Sequence, residues 1–465
     1  MDENASLKKI LSQLMIERVP SYANKLFYSL GFLSMISFLV LIITGVIMVA
    51  YGPSWWLTDP AGQFFRSIHL WATQAFVLFV LLHLSIVFLT SGFKKPRRLT
   101  WVIGAMMFFF VLVEAEFGYV LRGDYSSQYR SLQGADLFNG SGIGGFLNEL
   151  NYHQIFGIHV VVVPLLILGL LFVHYLLIRA RGIAKPYRQD VKYTIVKANH
   201  GLLFLRGFGL IGVILGLALI FPSPFIRPTT IKEVAQEDPS LMSQTLLKEF
   251  NRTSDTAIYV DNIDPYRYDV RQVYIVQPYH QLLAIKHSRD QLVVFNAESA
   301  ATQNAEIGQA RDYYMNGLAK QPKPNPVIDI VNSLTTMAKS GLYEASLFNS
   351  NPSGDQSTYV LRFLADSGVL DTKAQSLGIT TQQYGMLHEE STKFPLGAWW
   401  LAPIGLLDHT ILANDANGDR DTAIIVGWLI LLLIAFPYIP YVNRLPDKLG
   451  LYKLIWHESK KTRSK

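Results

Sequence analysis

Six long apolar stretches, separated by shorter polar segments, dominate the hydropathy pattern of this chain. They fall at about 28–50, 68–90, 101–121, 155–178, 203–221 and 422–441. Each is close to the roughly 20 residues that an α-helix needs to cross a hydrocarbon core. The pattern therefore predicts a mainly α protein with six membrane-spanning helices. The long segment between the fifth and sixth stretches is too polar to lie in a membrane.

The second and fourth stretches each carry two histidines, His69 with His83 and His159 with His174. Along an α-helix, a separation of 14 residues leaves two side chains about 40° apart, and 15 residues leaves about 60°. Both histidines of each helix therefore lie on roughly one face, at levels about 21 Å apart. If the two helices are neighbours with these levels aligned, His69 approaches His159 and His83 approaches His174. The spacing predicts two bis-histidine sites at different depths.

The chemistry of imidazole favours haem iron at these sites. A single histidine in a membrane helix often only bonds to a neighbouring helix, but polar residues within spans are costly and usually functional. Four at matching depths favour ligation, and neutral imidazole is a strong axial ligand for haem. The chain contains no cysteine, which excludes iron–sulfur clusters, zinc–thiolate sites and thioether-bound haem within it. Any haem must be held by ligation and packing alone.

Two pairs of glycines repeat the spacing of the first histidine pair. Gly31 and Gly45 are 14 residues apart in the first stretch, and Gly104 and Gly118 are 14 apart in the third. A glycine has no side chain, so a flat macrocycle can approach its helix closely. Ordinary packing of small residues between membrane helices is the alternative explanation.

The region from about Val19 to Pro186 resembles the cytochrome b of bc-type quinol-oxidising complexes, and is most like the short four-helix form, cytochrome b6. The motifs that carry the resemblance are the two histidine spacings, Arg66-x-x-His69, LTSGFKKPRRLTW at 89–101, VPLL at 163–166 and HYLLIRARGI at 174–183. The resemblance covers about a third of the chain. The remaining C-terminal part diverges from the family.

This resemblance implies a set of site residues and partners. It implies two non-covalent b-type haems, with Gly45 and Gly118 at the outer haem and Gly31 and Gly104 at the inner one. Arg66, one turn before His69, would pair with a haem propionate, the alternative being a plain arginine at the membrane interface. Quinol and quinone would be substrates. A Rieske iron–sulfur protein, a c-type cytochrome and a second copy of this chain would be partners.

The chain departs from the family at the outer quinol site and at a third haem. No Pro-Glu-Trp-Tyr motif occurs, and KFPLGAWWLAPIGLL stands before the last stretch at 393–407. Ser29 occupies the position of the cysteine that holds an extra haem in cytochrome b6, so that haem is not expected. Quinol oxidation releases protons, which need an acceptor. Glu114 and Glu116 are the candidates, unless they face a watery cavity or pair with Arg122.

The distribution of charge predicts the orientation of the chain. The net charge is +6, and the basic residues cluster in the 91–100 and 179–197 loops and the C-terminal tail, not in a nucleic-acid-binding patch. By the positive-inside tendency, these segments and both termini face the cytoplasm of a prokaryotic cell. The predicted division is an interfacial helix at 1–27, the four-helix domain at 28–186, a fifth helix with its lead-in at 187–222, an extracytoplasmic domain at 223–421, and a sixth helix with a basic tail at 422–465.

The inserted 223–421 segment is predicted to be a small α+β domain. AIYVDNI, RQVYIVQ and QLVVFNA are typical of short strands, whereas 301–319, 326–345 and 369–388 favour helices. The chain as a whole is thus predicted to be the dihaem subunit of a respiratory quinol-oxidising complex. Two alternatives remain: a dihaem anchor that passes electrons one way to another oxidoreductase, and a chain whose outer domain mainly docks partners.

Overall fold

The computed structural model describes residues 17–184, 194–258, 268–315, 324–350, 358–380, 383, 387–389, 392–415, 417–450 and 452. These residues fall into two compact units. The first takes in the described parts of Met1–Glu116, Ile158–Ser223 and Ile424–Lys465, and the second those of Phe117–Gly157 and Pro224–Ala423. The predicted outer domain nearly coincides with the last of these ranges. Phe117–Gly157 belongs to the second of these units, and the domain bounds given above stay predictions.

Six helices among the described residues are long and apolar enough to cross a membrane, as the sequence predicts. Only a continuous helix satisfies every backbone group of a single segment within lipid. We call them the first to sixth spans in chain order: Leu30–Tyr51, Pro60–Leu89, Arg98–Val120, Tyr152–Arg181, His200–Ile220 and Arg420–Tyr438.

The second span begins about eight residues before its predicted start, and helix capping explains the difference. The Asp59 side chain accepts hydrogen bonds from the backbone N–H groups of Ala61 at 2.8 Å and Gly62 at 3.3 Å. Pro60 occupies the first turn, where its missing N–H costs nothing. Capping therefore starts the helix within a polar stretch that hydropathy alone excludes.

Spans of the first unit pack through tryptophans that also form hydrogen bonds. Trp71 of the second span lies in a buried cluster with residues of the fifth, and its Nε1 donates to the Phe221 carbonyl at 2.8 Å. Trp101 of the third span packs against Phe436, and its Nε1 donates to the Leu433 carbonyl of the sixth span at 2.8 Å. These contacts join the additional fifth and sixth spans to the bundle.

The polar ends of the first unit carry short elements. Strand β1, Arg18–Pro20, pairs antiparallel with β2, Ile195–Lys197. The predicted interfacial helix falls mainly on residues 5–16, which lie outside the described residues, and residues 17–27 contain β1 and 3₁₀ turns instead of a helix. The short elements here are Ser21–Asn24, Leu26–Tyr28, Pro53–Thr58, Phe436–Tyr438, Val442–Arg444 and Leu445–Lys448.

Helix Pro326–Lys339 lies at the centre of the second unit, and Val327, Ile328, Val331 and Leu334 on it are fully buried. The other helices are Tyr125–Gly140, Ile231–Glu237, Pro239–Asn251, Asp255–Ile258, Gln272–Val276 continuing as Gln277–Lys286, Gln291–Asn296, Ala300–Met315, Leu342–Ser350, Thr358–Asp366, Val369–Leu377, Trp399–Leu401 and Ala402–His409. Strands β3, His388–Glu389, and β4, Thr392–Leu396, form an antiparallel pair.

The α+β expectation for this unit receives only weak support, from that single pair of strands. RQVYIVQ, predicted as a strand, lies in the helix Gln272–Lys286, and QLVVFNA, also predicted as a strand, contains the helix Gln291–Asn296. Both predictions were wrong because a short apolar run does not separate a strand from a buried helix. AIYVDNI extends into residues outside the described part. The predicted helices within 301–319, 326–345 and 369–388 are present as Ala300–Met315, Pro326–Lys339, Leu342–Ser350 and Val369–Leu377.

Candidate haem-binding site

His69 of the second span and His159 of the fourth face each other across the bundle. Their ring centroids are 6.4 Å apart, with an angle of 67° between the ring planes. A bond from metal to imidazole nitrogen is about 2 Å long, and the ring centre lies about 1 Å behind the nitrogen, so one metal ion between two rings separates their centres by roughly 6 Å. The distance between the two rings therefore fits one iron atom.

The hydrogen bond of His69 leaves the correct nitrogen available for that iron. Its Nδ1 lies 2.8 Å from the Thr44 hydroxyl oxygen of the first span. Thr44 is buried, and its hydroxyl donates to the Val40 carbonyl at 2.8 Å, so the hydroxyl accepts from Nδ1–H of His69. A histidine that donates from Nδ1 presents the lone pair of Nε2. Thr44 was not predicted as a site residue, and its only signal in the sequence is its place beside Gly45.

His159 is oriented in the same way by the third span. Its Nδ1 lies 3.1 Å from the backbone carbonyl oxygen of Glu114 and 3.1 Å from the carboxylate Oε1 of the same residue. Both are acceptors, so they fix the proton on Nδ1 and leave Nε2 free. Glu114, predicted as a proton acceptor for quinol, thus lies against the expected haem ligand. Glu116, two residues further, is half-buried and projects about 200° away around the helix.

His83 and His174 form the second pair, nearer the other ends of their spans. His83 lies against Gly31 of the first span and His174 against Gly104 of the third. Among the described residues, no group of three or more histidine and acidic side chains is arranged to hold a metal ion. Two protein ligands per site suit haem, because the macrocycle supplies the other four bonds to iron.

Three of the four predicted glycines lie directly against these histidines. A Cβ atom on Gly31 would come within 3.2 Å of His83 Cε1, one on Gly45 within 3.5 Å of His69 Cε1, and one on Gly104 within 3.3 Å of His174 Cε1. At Gly31 and Gly104 even an alanine would push the imidazole by a few tenths of an ångström, whereas at Gly45 the Cβ would stand in ordinary van der Waals contact. Gly118 lies on the third span 14 residues after Gly104, in the part that belongs to the second unit.

Arg66, the predicted partner of a haem propionate, is buried, and two basic residues near the other end of the bundle contact the protein itself. Arg66 is 7% exposed, one turn before His69. Lys94 forms an ion pair with Asp447. Arg98 lies over the ring of Tyr438, 5.2 Å from its centroid. The haem contact of Arg66 stays a prediction.

The fourth span is not a regular α-helix throughout. Ile158–Val162, which contains His159, forms a π-helical turn, and Pro164 follows in the first turn of the α-helix Val163–Arg181. A π turn takes up one residue more than an α turn. The π turn therefore brings the 15-residue spacing to His174 close in rotation to the 14-residue spacing of His69 and His83 on the second span. A constant rotation of 100° per residue, which holds for a regular α-helix, does not predict this turn.

Within the second unit, Trp400 of the segment that stands in place of Pro-Glu-Trp-Tyr lies near Tyr119 at the end of the third span. Trp400 is buried, and its ring centroid lies 6.3 Å from that of Tyr119. The guanidinium of Arg130 stacks on Tyr119 at 4.4 Å, and Arg122 pairs with Asp124 at 2.8 Å. This segment thus contributes aromatic packing.

Residues 74–228 match the family model described as "Cytochrome b(N-terminal)/b6/petB". The chain is 29% identical over 200 residues to the cytochrome b6 of Heliobacterium mobile, covering 38% of this chain and 94% of that protein. It is 30% identical over 211 residues to the cytochrome b6 of Chlamydomonas reinhardtii, covering 40% and 96%. A chain of a solved structure titled "Hyperthermophilic respiratory Complex III" aligns over 80% of this chain and 96% of its own length, with 17% identity and a TM-score of 0.40.

Proposed function

Because the chain belongs to the family of cytochrome b6 and the N-terminal part of cytochrome b, we propose that it is the dihaem subunit of a respiratory quinol-oxidising complex. The family consists of integral membrane electron-transfer proteins with b-type haem, and six apolar helices agree with this. The observation that carries the finer proposal is that the rings of His69 and His159 face each other. Nδ1 of His69 is hydrogen-bonded to Thr44 and Nδ1 of His159 to Glu114, which leaves Nε2 of each ring for the iron.

In this proposal, His69 and His159 hold one b-type haem, and His83 and His174 hold the other. Haem iron supplies one-electron chemistry by changing its oxidation state. The glycines allow close approach of the macrocycles to the first and third spans, and Arg66 neutralises a propionate. The two histidine levels are about 21 Å apart along the helices. In this proposal, electrons pass between these levels, from quinol at the outer side towards quinone at the inner side. The basic loops support an orientation in which the His69–His159 level is the outer one.

Glu114 and Glu116 remain the proposed proton acceptors for quinol, but they differ as experimental targets. Replacing Glu114 would also change the environment of His159, which its carboxylate contacts at 3.1 Å. Glu116→Gln is the better test, because it leaves the contact between Glu114 and His159 in place. We expect it to slow quinol-driven haem reduction while leaving the haem content unchanged. Reduction at the wild-type rate in this variant would exclude Glu116 as the acceptor.

The experiment that tests the function mixes the purified complex anaerobically with a quinol and follows haem absorbance. Reduction of both haems, blocked by inhibitors of outer quinol sites, is the expected result. A complex that binds haem but is not reduced by any quinol would contradict the proposal. Copurification of a Rieske protein and a c-type cytochrome would support a bc-type assembly, and the proposed dimer is tested by the mass of the complex.

The absence of Pro-Glu-Trp-Tyr favours a second candidate, a dihaem anchor that carries electrons one way between the quinone pool and another oxidoreductase subunit. Bound inhibitor distinguishes the two. A bc-type complex sends the two electrons of quinol to two different acceptors, so that blocking the inner quinone site causes extra reduction of haem when an oxidant is added. A one-way conduit shows no such response. An outer domain that only docks partners predicts no quinol reactivity at all.

A further inference from the structure

The fourth span has a backbone irregularity at the residue that the proposed function assigns to haem. The π-helical turn Ile158–Val162 includes His159, and the α-helix resumes at Val163. The second span, which carries the facing His69 and His83, is α-helical from Pro60 to Leu89. One helix of the pair therefore contains an irregular turn between its two histidines, and the other does not.

The irregular turn corrects a mismatch in rotation. Fourteen α-helical steps end about 40° short of four full turns, whereas fifteen end about 60° past them. The two spacings therefore differ by about 100° of rotation. If the fourth span were a regular α-helix and His174 faced His83, the side chain of His159 would point about 100° away from His69. For a ring about 6 Å from the helix axis, this rotation is a displacement of about 9 Å, which exceeds the 6.4 Å that separates the rings of His69 and His159.

Pro164 supplies a local reason for the turn. Proline has no backbone N–H, and its ring clashes with the carbonyl of the residue four positions earlier, here Val160. An α-helix across this point is therefore disfavoured. Val161 and Val162, between His159 and Pro164, are 50% and 56% exposed. No tight side-chain packing at these two valines accounts for the extra residue.

We infer that Pro164 is a positioning residue: it holds the π-helical turn that keeps His159 in phase with His174, so that both face the histidines of the second span. This inference rests on the proposed haem ligation. It assigns the extra residue of the fourth span to the geometry of one site, the His69–His159 haem, while the His83–His174 haem on the other side of the turn is unaffected.

The test is a cycle of two changes in the full chain, Pro164→Ala and deletion of Val161, made alone and together. Pro164→Ala allows a regular helix with one residue too many. The deletion with Pro164 present leaves one residue too few. We expect each single change to reduce occupancy of the His69–His159 haem by at least half, and the double change to restore it, because 14 regular steps give the native phase.

The readout is the haem content of the purified protein and the low-spin spectrum of each haem, with the His83–His174 haem as an internal measure of folding. Val161→Ala, which removes side-chain atoms without changing the register, is the matched control and should keep both haems. If a single change abolishes membrane insertion, recovery of both haems in the double variant still supports the inference.

Unchanged occupancy in both single variants would overturn the inference, as would a double variant that fails to recover the first haem. This failure differs from failure of the proposed function. A wild-type protein without two b-type haems would contradict the proposed function. A wild-type protein with two haems, whose variants show no loss and recovery of the His69–His159 haem, would contradict only the role of Pro164.

Discussion

Replacing Thr44 with valine tests whether the hydrogen bond between the Thr44 hydroxyl and Nδ1 orients the ring of His69. Valine keeps the shape of threonine, and Thr44 is buried, so the change removes little besides the acceptor of the 2.8 Å hydrogen bond from His69 Nδ1. A buried N–H left without a partner costs about 1–3 kcal/mol. At about 1.4 kcal/mol for each tenfold change in affinity, this corresponds to roughly 5- to 150-fold weaker binding. Comparable changes beside metal ligands typically cost about 10- to 100-fold.

The assay is release of haem from the purified protein to an excess of a competing haem-free protein. We expect Thr44→Val to release the His69–His159 haem at least tenfold more readily and to leave the other haem unchanged. Thr73→Val is the matched control: the Thr73 hydroxyl donates to the His69 backbone carbonyl at 2.9 Å and does not touch the ring. Equal haem release from the two variants, or none from either, would refute the proposed orientation of His69 by Thr44.

Two further predictions concern packing and pH. Gly104→Val should expel the His83–His174 haem, because even a Cβ atom would lie 3.3 Å from His174, whereas Gly169→Val in the fourth span, with no atom within 4 Å, should retain both haems. A spectrum showing both haems in Gly104→Val would disprove the close approach. In the second unit, burial and the neighbouring Asp366 raise the pKa of the Glu249 carboxyl. The folded domain therefore binds a proton that the unfolded chain releases, and its stability falls as the pH rises through the raised pKa. Glu249→Gln should flatten the fall in unfolding temperature that follows as the pH rises above the ordinary carboxyl pKa, and an unchanged slope would contradict the assignment.

The spans could be predicted from the sequence because the membrane permits so few backbone arrangements. A helix of about 20 apolar residues is almost the only solution for a single segment in lipid. The histidine pairs followed from the same regularity, since His69 and His83 lie on one uninterrupted helix. The glycines repeated that spacing, and the structure places Gly31, Gly45 and Gly104 beside the histidine rings.

Features that depend on tertiary contacts could not be predicted from the pattern. The π-helical turn at His159 breaks the constant rotation on which the helical arithmetic depends. The roles of Thr44 and Glu114 require knowledge of which spans are neighbours. RQVYIVQ is compatible with a strand or a buried helix, and its packing within the second unit makes it helical.

The central claim is that two pairs of histidines hold two b-type haems, and haem stoichiometry with ligand variants tests it most directly. We predict two low-spin b-type haems per wild-type chain. His69→Ala and His174→Ala should each lose one haem, a different one in each case, and His153→Ala, an exposed histidine of the fourth span, should lose none. A wild-type chain with fewer than two haems, or two haems that persist in both ligand variants, would contradict the account.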